Sequence, residues 1–590
     1  MSGNNVSDEN VAPSAQAEVS HAEEAKEAAV EKTRLVICWH MHQPNYVDSS
    51  ANTYVLPWTY LHAIKDYVDM AAHLEAAPEA RAVVNFAPVL LEQLDDYATK
   101  IKRWAETGSE ISDPLLDALA SSSVHCCFKK NDVLNDCLRI NEERLVDRHS
   151  HFKKMFHFAK QFAKEPELLD YLSEQFVCDL LVWYNLAWMA ETEKRTNPVL
   201  IELIKKESNY TIEDRHRLVR IIGKLIESIV PRYRALAKSG QVELAFSPYA
   251  HPIIPLMLDF KTAQQASPDM PLPAHKEYPG GEERSRWHFK KGIEVFDAHF
   301  GFKPAGCWPS EGGVSDATID MCEEMGIDWV ASGESVLRNS LNNAGLDDES
   351  NVHRAYQLNT NSVKCYFRDD GLSDLIGFDY SKWHADDAIH NLIHHIESIS
   401  KGCADKKNTV ISIIMDGENA WEYYPENGYY FLSQLYEKLA ENKNFELTTY
   451  SQCQASGIES VFLPHIVAGS WVYGTFSTWI GDKDKNLGWD LLCDAKQVFD
   501  QIMASDQLDD AAQQAAIQQL AICEGSDWFW WFGDYNPAES VSDFDKLFRT
   551  HLSQLYILLG QEPPESLTRV ISVGGGDPAA GGVMRQGSDN

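Results

Sequence analysis

Short apolar runs, most of them followed by a polar loop, recur along residues 33–428 and predict the strands of a sheet. The final run, Thr409–Met415, is apolar at nearly every position, which is typical of a strand that is buried on both faces. Between the runs the apolar residues recur with the period of a helix, and this alternation predicts parallel βα units and an α/β fold. The predicted strands are Thr33–Trp39, Arg81–Phe86, Val242–Phe246, a short run that ends in Trp308-Pro309, Ile327–Ser332, Val363–Phe367 and Thr409–Met415.

Two other parts of the chain have a helical pattern with few strand signals. From about 109 to 238 long segments of helical period, such as Leu169–Thr192 and Ile212–Ala237, predict a helical insertion into the region 33–428. Residues 429–573 are again mainly helical, interrupted by loops rich in aromatic residues. Residues 1–32 are predicted to be an acidic, Ala-rich tail, in which 23–31 could form a frayed helix, and 574–590 a Gly-rich tail.

The charge of the chain narrows the classes of partner. The 88 acidic residues outnumber the 52 basic ones and give a formal net charge of -36 at pH 7. Nucleic acids and anionic membranes need a basic surface, so these partners are excluded and a neutral substrate is favoured.

The cysteines and the N-terminal sequence indicate the cellular compartment that we expect for the protein. The 12 cysteines form no CxxC pair, and Cys38, Cys178 and Cys493 lie in apolar segments, as small core residues do. No signal peptide and no run long enough to span a membrane is present in the sequence. We therefore expect reduced thiols and a cytoplasmic protein.

Two carboxylates follow predicted strands. Glu311 lies in a Gly-containing loop before Ser315, which is predicted to cap a helix from Asp316 to Met325, and Asp416 comes directly after the strand Thr409–Met415. In α/β barrels catalytic side chains are placed in such loops, so the pair indicates acid/base chemistry. Each carboxylate could equally accept backbone N–H bonds at a helix start.

Three histidines allow several interpretations. His40 and His42 lie two residues apart after the first strand and point to one face, and His251 follows another strand. They could be structural, bind a substrate, or hold zinc with nearby carboxylates.

Several tryptophans lie in polar, Gly-containing loops, where an aromatic face suits a sugar ring. These are Trp308, Trp421, Trp471, Trp479 and Trp528, whereas Trp183 and Trp188 have the helical context of core residues.

Five segments, in order, carry a resemblance to a known family. They are His40-Met-His-Gln-Pro44, Pro248-Tyr-Ala-His251-Pro, Gly306-Cys-Trp-Pro-Ser-Glu311, Met415-Asp-Gly-Glu-Asn-Ala-Trp421 and Glu524-Gly-Ser-Asp-Trp528. Together they resemble the signature regions of glycoside hydrolase family 57, and most closely its α-amylase and amylopullulanase branch.

The resemblance implies an incomplete (β/α)7 TIM-like barrel with a helical region at its mouth, and a retaining enzyme of α-glucans that needs no metal or cofactor. By position, Glu311 matches the nucleophile and Asp416 the general acid/base. His40, His42 and His251 match the subsite of the reacting glucose. Trp308 and Trp421, together with Asp527 and Trp528 of the fifth region, are further substrate-binding candidates.

The retaining mechanism implies a distance between the two carboxyl groups and a protonation state for each. The carboxyl groups of Glu311 and Asp416 should lie about 5–5.5 Å apart. The pKa of Asp416 should be raised by burial and by the charge of Glu311, so that Asp416 is protonated and Glu311 ionised.

The sequence leaves the reaction itself open. Hydrolysis of α-1,4 bonds, cleavage of α-1,6 bonds, and transfer of glucan by a 4-α-glucanotransferase or a branching enzyme share this machinery. Two alternatives from other classes are a glycan-binding protein without turnover and a zinc-dependent hydrolase.

Overall fold

The computed structural model describes residues 32–122, 130–346, 352–505, 507–576 and 584. The expected N-terminal tail, apart from Lys32, and most of the expected C-terminal tail lie outside the described residues. The strands are β1 Thr33–Met41, β2 Val47–Asp48, β3 Thr53–Tyr54, β4 Ala82–Phe86, β5 Val242–Phe246, β6 Gly306–Cys307, β7 Trp329–Ser332, β8 Ala355–Leu358, β9 Lys364–Phe367, β10 Val410–Asp416, β11 Phe445–Thr448 and β12 Ser460–Leu463.

The α-helices begin with α1 Trp58–His62, α2 Val68–Ala76, α3 Pro88–Thr107, α4 Pro114–Ala120, α5 Lys130–Leu138, α6 Ser150–Lys164, α7 Glu174–Trp188, α8 Glu191–Thr196, α9 Pro198–Lys206 and α10 Ile212–Lys238. They continue with α11 Ile254–Leu258, α12 Ala263–Ala266, α13 Gly281–Phe300, α14 Asp316–Glu324, α15 Glu334–Ala344, α16 Asp370–Asp374 and α17 Ala385–Gly402. The last are α18 Tyr429–Glu441, α19 Tyr450–Ala455, α20 Lys483–Met503, α21 Asp510–Cys523, α22 Asp527–Trp531 and α23 Ala538–Leu558.

The main sheet is an open, curled barrel. Its strands run in the order β10-β1-β4-β5-β6-β7-β9-β8-β12, with β11 also paired to β1. The seven strands from β10 to β9 in this order pair in parallel. Between β9 and β10 the Asp369 N–H donates to the Ser412 carbonyl (2.8 Å), although no continuous ladder joins the two strands. The expected incomplete barrel is confirmed.

Side chains that alternate along the strands fill the interior of the barrel. Val36 and Cys38 of β1, Ala245 of β5 and Ile414 of β10 belong to one buried cluster, which Tyr450 of α19 completes. Because successive strand residues point to opposite faces, the next inward positions after Cys38 and Ile414 are His40 and Asp416. The packing that fixes the barrel therefore also aims these two side chains at its carboxyl end.

The remaining helices lie against this barrel. The insertion is helical throughout the part described, and its longest helix, α10, agrees with the segment predicted at Ile212–Ala237. The Ala190 N–H donates to the Ile64 carbonyl (2.8 Å) and joins the insertion to the helical turn between α1 and α2. Within the described residues, no helix combines the length and apolarity needed to cross a membrane.

The sheet also extends past residue 428, where the sequence predicts the start of a helical region. β11 pairs with β1, and β12 pairs with β8. Both strands are four residues long and partly exposed, so they lack the continuous apolar run of β10.

Candidate active site

A cavity of about 500 Å³ opens at the carboxyl ends of the barrel strands and contains both predicted carboxylates. Its walls come from the strand-end loops, the insertion and the C-terminal helices. The lining residues include His40, His42, Trp58, His62, Arg139, Trp188, Glu311, Asp416, Glu418, Asn419, Glu422, Tyr423, Trp471, Asp527, Trp530 and Trp531. Glu311 and Asp416, from two different strand ends, thus share one cavity.

Asp416 is the last residue of β10 and lies opposite His40 in the parallel register with β1. The Gly417 N–H donates to the His40 carbonyl (2.7 Å), and a Cβ at this position would lie 2.2 Å from Met41 Sδ, so a larger residue would have to displace the Met41 side chain. Burial raises the pKa of Asp416 to about 6 against the opposing hydrogen bond from Asn419. Burial, and not the charge of Glu311, accounts for the rise.

Glu311 lies in a single 3-10 turn and has a left-handed backbone, with φ 58° and ψ 26°. A left-handed conformation is costly for a residue with a Cβ, and such strain is concentrated at functional sites. Trp471 makes two hydrogen bonds to Glu311. Its backbone N–H donates to the Glu311 carbonyl (3.1 Å), and its Nε1–H donates to Glu311 Oε2 (3.1 Å). The carboxylate is therefore oriented by the loop Gly469–Trp479.

The three histidines stack beside the carboxylates. The ring centroids of His42 and His251 are 3.9 Å apart, and those of His40 and His251 are 5.1 Å apart. His251 Nδ1 lies 3.7 Å from Glu311 Oε1. The sequence-predicted cluster is thus brought to the nucleophile candidate.

Each imidazole has one nitrogen engaged. His40 Nδ1 bonds to Asn85 (2.6 Å), His42 Nε2 to Asp527 (2.9 Å) and His251 Nδ1 to Ser526 (3.0 Å). Burial lowers the pKa of His40 to about 3 and that of His251 well below its usual range, so both are neutral. The second nitrogen of each ring is buried with no hydrogen-bond partner in the described part of the chain. A ligand with hydroxyl groups could satisfy all three.

Comparison with known proteins gives the family of this chain. The model of glycosyl hydrolase family 57 matches residues 36–459. The chain belongs to glycosyl hydrolase family 57. No curated protein sequence matches it significantly.

Solved structures of family 57 share its fold. A branching enzyme from the hyperthermophilic archaeon Pyrococcus horikoshii is 15% identical, with 91% of this chain and 93% of that chain covered and a TM-score of 0.57. The alpha-amylase AmyC from Thermotoga maritima is 13% identical, with 90% and 93% covered and a TM-score of 0.55. At such identities the likeness concerns the fold.

The family 57 cavity also contains a set of possible metal ligands. One ligand atom from each of His42, His251 and Asp527 can be chosen so that all three lie within 4.8 Å of one another. The Nδ1 bond of His251 to Ser526 is the type of contact that orients a metal-binding histidine. His40 is not part of this set, which differs from the three-histidine zinc site considered from the sequence.

Three of the tryptophans predicted to bind substrate are buried and do not line the cavity. Trp308 packs against the ring of Trp471, with centroids 5.2 Å apart. Trp421 packs against Trp39 at 5.6 Å and donates its Nε1–H to the Gly417 carbonyl. Trp528 is 1% exposed, and its Nε1–H donates to the Ile522 carbonyl (2.9 Å). We revise their roles to packing, because loop composition reports local polarity and not what a ring packs against.

The sequence reasoning missed other residues of the cavity. Glu418 accepts from the His42 N–H (3.3 Å), and burial raises its pKa well above the usual range. Trp530 and Trp531 also line the cavity. Asp527, which the family resemblance indicates as a substrate-binding candidate, lines the same cavity. The helical periodicity of the sequence cannot show which residues of α22 face the cavity, because this helix is only five residues long.

Proposed function

We propose that this chain is a retaining glycoside hydrolase of α-glucans, with Glu311 as nucleophile and Asp416 as general acid/base. The observation that carries the proposal is the placement of the two carboxyl groups in one cavity, in different environments. Asp416 is buried and has a pKa of about 6, whereas Glu311 accepts a hydrogen bond from Trp471. Unlike environments for two carboxyl groups suit one acid and one nucleophile.

The chemistry follows from these roles. A Glu311 oxygen attacks the anomeric carbon while the glycosidic bond breaks, and protonated Asp416 gives its proton to the departing oxygen. Water then attacks the anomeric carbon, its proton passes to Asp416, and the bond to Glu311 breaks to regenerate the carboxylate. The expected separation of about 5–5.5 Å between the carboxyl groups remains a prediction that a crystal structure can test.

The neutral histidines support a sugar ligand. Their second nitrogens are buried and lack partners among the described residues, which is costly unless a ligand pairs with them. Hydroxyl groups of a glucosyl ring would form these hydrogen bonds. Bonds that strengthen as the ring approaches the oxocarbenium ion would raise turnover and not only affinity.

The test is incubation of the parent, Glu311→Gln and Asp416→Asn with maltoheptaose, pullulan and glycogen, followed by analysis of product lengths and linkages. Shorter maltooligosaccharides indicate α-1,4 hydrolysis, loss of α-1,6 bonds indicates debranching, and longer or newly branched chains indicate transfer. If the parent and both variants bind glucan equally well and none of them forms a product, the enzyme proposal is contradicted and the silent glycan-binding protein is favoured.

One observation favours a second function, metal-assisted hydrolysis, because His42, His251 and Asp527 could hold zinc. We expect activity to survive EDTA and a slow fluorinated glucoside to label Glu311. Loss on chelation, recovery with zinc and no label on Glu311 would favour the metal hydrolase.

A further inference from the structure

The cavity extends from the catalytic carboxylates to a second polar cluster that the proposed mechanism does not use. This cluster consists of His62, Lys65, Asp66, Trp188 and Glu422. Lys65 and Asp66 lie in a π-helical turn, Ala63–Tyr67, that interrupts the helix between Trp58 and Ala76. Such turns are rare and occur often at functional sites.

A buried ion pair fixes the orientation of His62. The His62 Nδ1–H donates to Asp66 Oδ2 (2.7 Å), and Lys65 Nζ donates to Asp66 Oδ1 (2.7 Å). Lys65 and Asp66 are fully buried, and Lys65 also donates to Asn427 Oδ1 (3.0 Å). Because Nδ1 is turned toward Asp66, Nε2 is the ring nitrogen left for a ligand, and His62 lines the cavity.

Glu422 and Trp188 add donors to the same wall. Both residues line the cavity, and burial raises the pKa of Glu422 against the opposing charges of Lys65 and His62, which favours the protonated carboxyl. Trp188 is 1% exposed, and its Nε1–H has no hydrogen-bond partner among the residues described. The cluster therefore offers both an acceptor and donors of hydrogen bonds, and it does not need an ionic ligand. A neutral polyol requires such a set of groups.

The position along the chain places the cluster on the side of the acid. Glu422 belongs to the same strand-end loop as Asp416, six residues further on. Glu311, in contrast, is contacted by Trp471 and faces His251. Burial and then the charges of Asp416 and Asp66 raise the pKa of Glu418, so Glu418 lies between the acid and the cluster. A general acid must face the leaving group and the incoming acceptor, so the cluster lies on the side of the cavity where that sugar would bind.

We propose that His62, Glu422 and Trp188 form an acceptor subsite for a glucosyl unit, with Asp66 as a positioning residue, and that the chain transfers glucan to sugar hydroxyls. The proposal rests on the proposed function. In the transfer step an acceptor hydroxyl oxygen bonds to the anomeric carbon of the glycosyl-enzyme, and the bond to Glu311 breaks with its electron pair returning to the carboxylate. The hydroxyl proton passes to Asp416, so transfer differs from hydrolysis only in the acceptor.

The test uses α-maltosyl fluoride as donor and increasing maltose as acceptor, with transfer and hydrolysis products separated by chromatography. We expect the parent to shift from hydrolysis to transfer as maltose rises. In His62→Leu and Glu422→Leu, which remove the hydrogen-bonding groups, the maltose concentration for half-maximal transfer should rise about tenfold, which corresponds to one lost hydrogen bond. Glu437→Leu, at an exposed position, is the matched control and should stay within about twofold of the parent.

Asp66→Asn should raise the half-saturating maltose concentration more than it lowers turnover at saturating maltose, and its melting temperature is measured because Lys65 loses its charged partner. Equal half-saturation in the parent and both cavity variants, or no transfer in the parent at any maltose concentration, would overturn the subsite. If the parent releases no fluoride, the catalytic proposal fails instead. Calorimetric binding of maltose then decides the subsite: weaker binding in His62→Leu and Glu422→Leu supports it, and equal binding overturns it.

Discussion

At the residue scale, burial prepares Asp416 for its proposed role as an acid. Its pKa of about 6 means that the carboxyl is protonated below that pH and loses its proton as the pH rises through 6. Activity should therefore fall on the alkaline side near pH 6.

Asp416→Asn tests this assignment. The variant should lose roughly 10²–10⁴-fold in turnover, and its residual activity should lack the limb near pH 6, as measured by kcat/KM against pH. Asp386→Asn, at an exposed position, is the control and should keep the parent profile. An Asp416→Asn profile that retained the limb would assign the acid to another group.

Trp528 provides a prediction about stability. Because its ring is buried against Phe548 and His551, Trp528→Ala should lower the free energy of unfolding by roughly 3–5 kcal/mol, measured by urea denaturation. Trp528→Phe is the control and should lose less. For the folded fraction, the KM for maltoheptaose should stay near that of the parent. A raised KM with unchanged stability would return Trp528 to the binding site.

The residues found from the sequence are those carried by motifs, and the residues missed are those defined by long-range contacts. Glu311, Asp416 and the three histidines follow predicted strands, so local patterns could place them. The partners of His42 and His251 are Asp527 and Ser526, which lie far along the chain. No local period encodes that contact, and only the family resemblance indicated that Asp527 belongs to the cavity.

At the element scale, a buried charge network fastens α13 to the loop between α21 and α22. Glu524 accepts from Arg284 Nη2 (2.7 Å), His288 Nε2 (2.7 Å) and Tyr278 Oη (2.5 Å). Burial alone would raise the pKa of Glu524, but Arg284 and His288 outweigh it and lower the pKa to about 2. The network places α22, and with it Asp527, at the cavity.

Glu524→Gln should lower the free energy of unfolding at pH 7 by about 3–5 kcal/mol, because Arg284 is left buried without its charged partner. The folded pKa lies below the ordinary value, so the stabilisation is present above about pH 4.5 and is lost as the pH falls toward 2. Urea denaturation across this range should show a weaker acid dependence in the variant. Arg286→Gln is the control, since Arg286 lies on the same helix but pairs with exposed Glu324, and should change stability far less.

Strands were predicted where an apolar run was long enough to be specific. β1, β4, β5, β7, β9 and β10 agree with the predicted runs to within two residues at each end. β6, which the run ending at Trp308 predicts, has only two residues, whereas β11 and β12, which the sequence does not predict, contain exposed positions that interrupt their apolar runs. β11 and β12 are therefore specified by the neighbours with which they pair and not by their own composition.

At the scale of the whole molecule, the segment after the sheet completes the site. Trp471, Ser526 and Asp527 each hydrogen-bond a side chain delivered by the barrel. The helical region is therefore a wall of the cavity and not a separate module.

A chain ending at Leu463 should consequently be inactive on maltoheptaose and aggregate, because the apolar surface covered by α20–α23 becomes exposed. Activity assays and light scattering test this expectation. A chain ending at Met584, which packs against the core, is the control and should behave as the parent. Activity in the shorter chain would show that the barrel alone builds the site.

The left-handed backbone of Glu311 has a consequence for engineering. His251 shares this conformation, with φ 60°. Glycine adopts it without the cost of a Cβ, so Glu311→Gly should be about 1 kcal/mol more stable than Glu311→Ala in thermal unfolding. Equal stability of the two would show that the turn carries no strain. A redesign that optimised stability alone would favour glycine at both positions and would thereby remove the nucleophile and one of its neighbours.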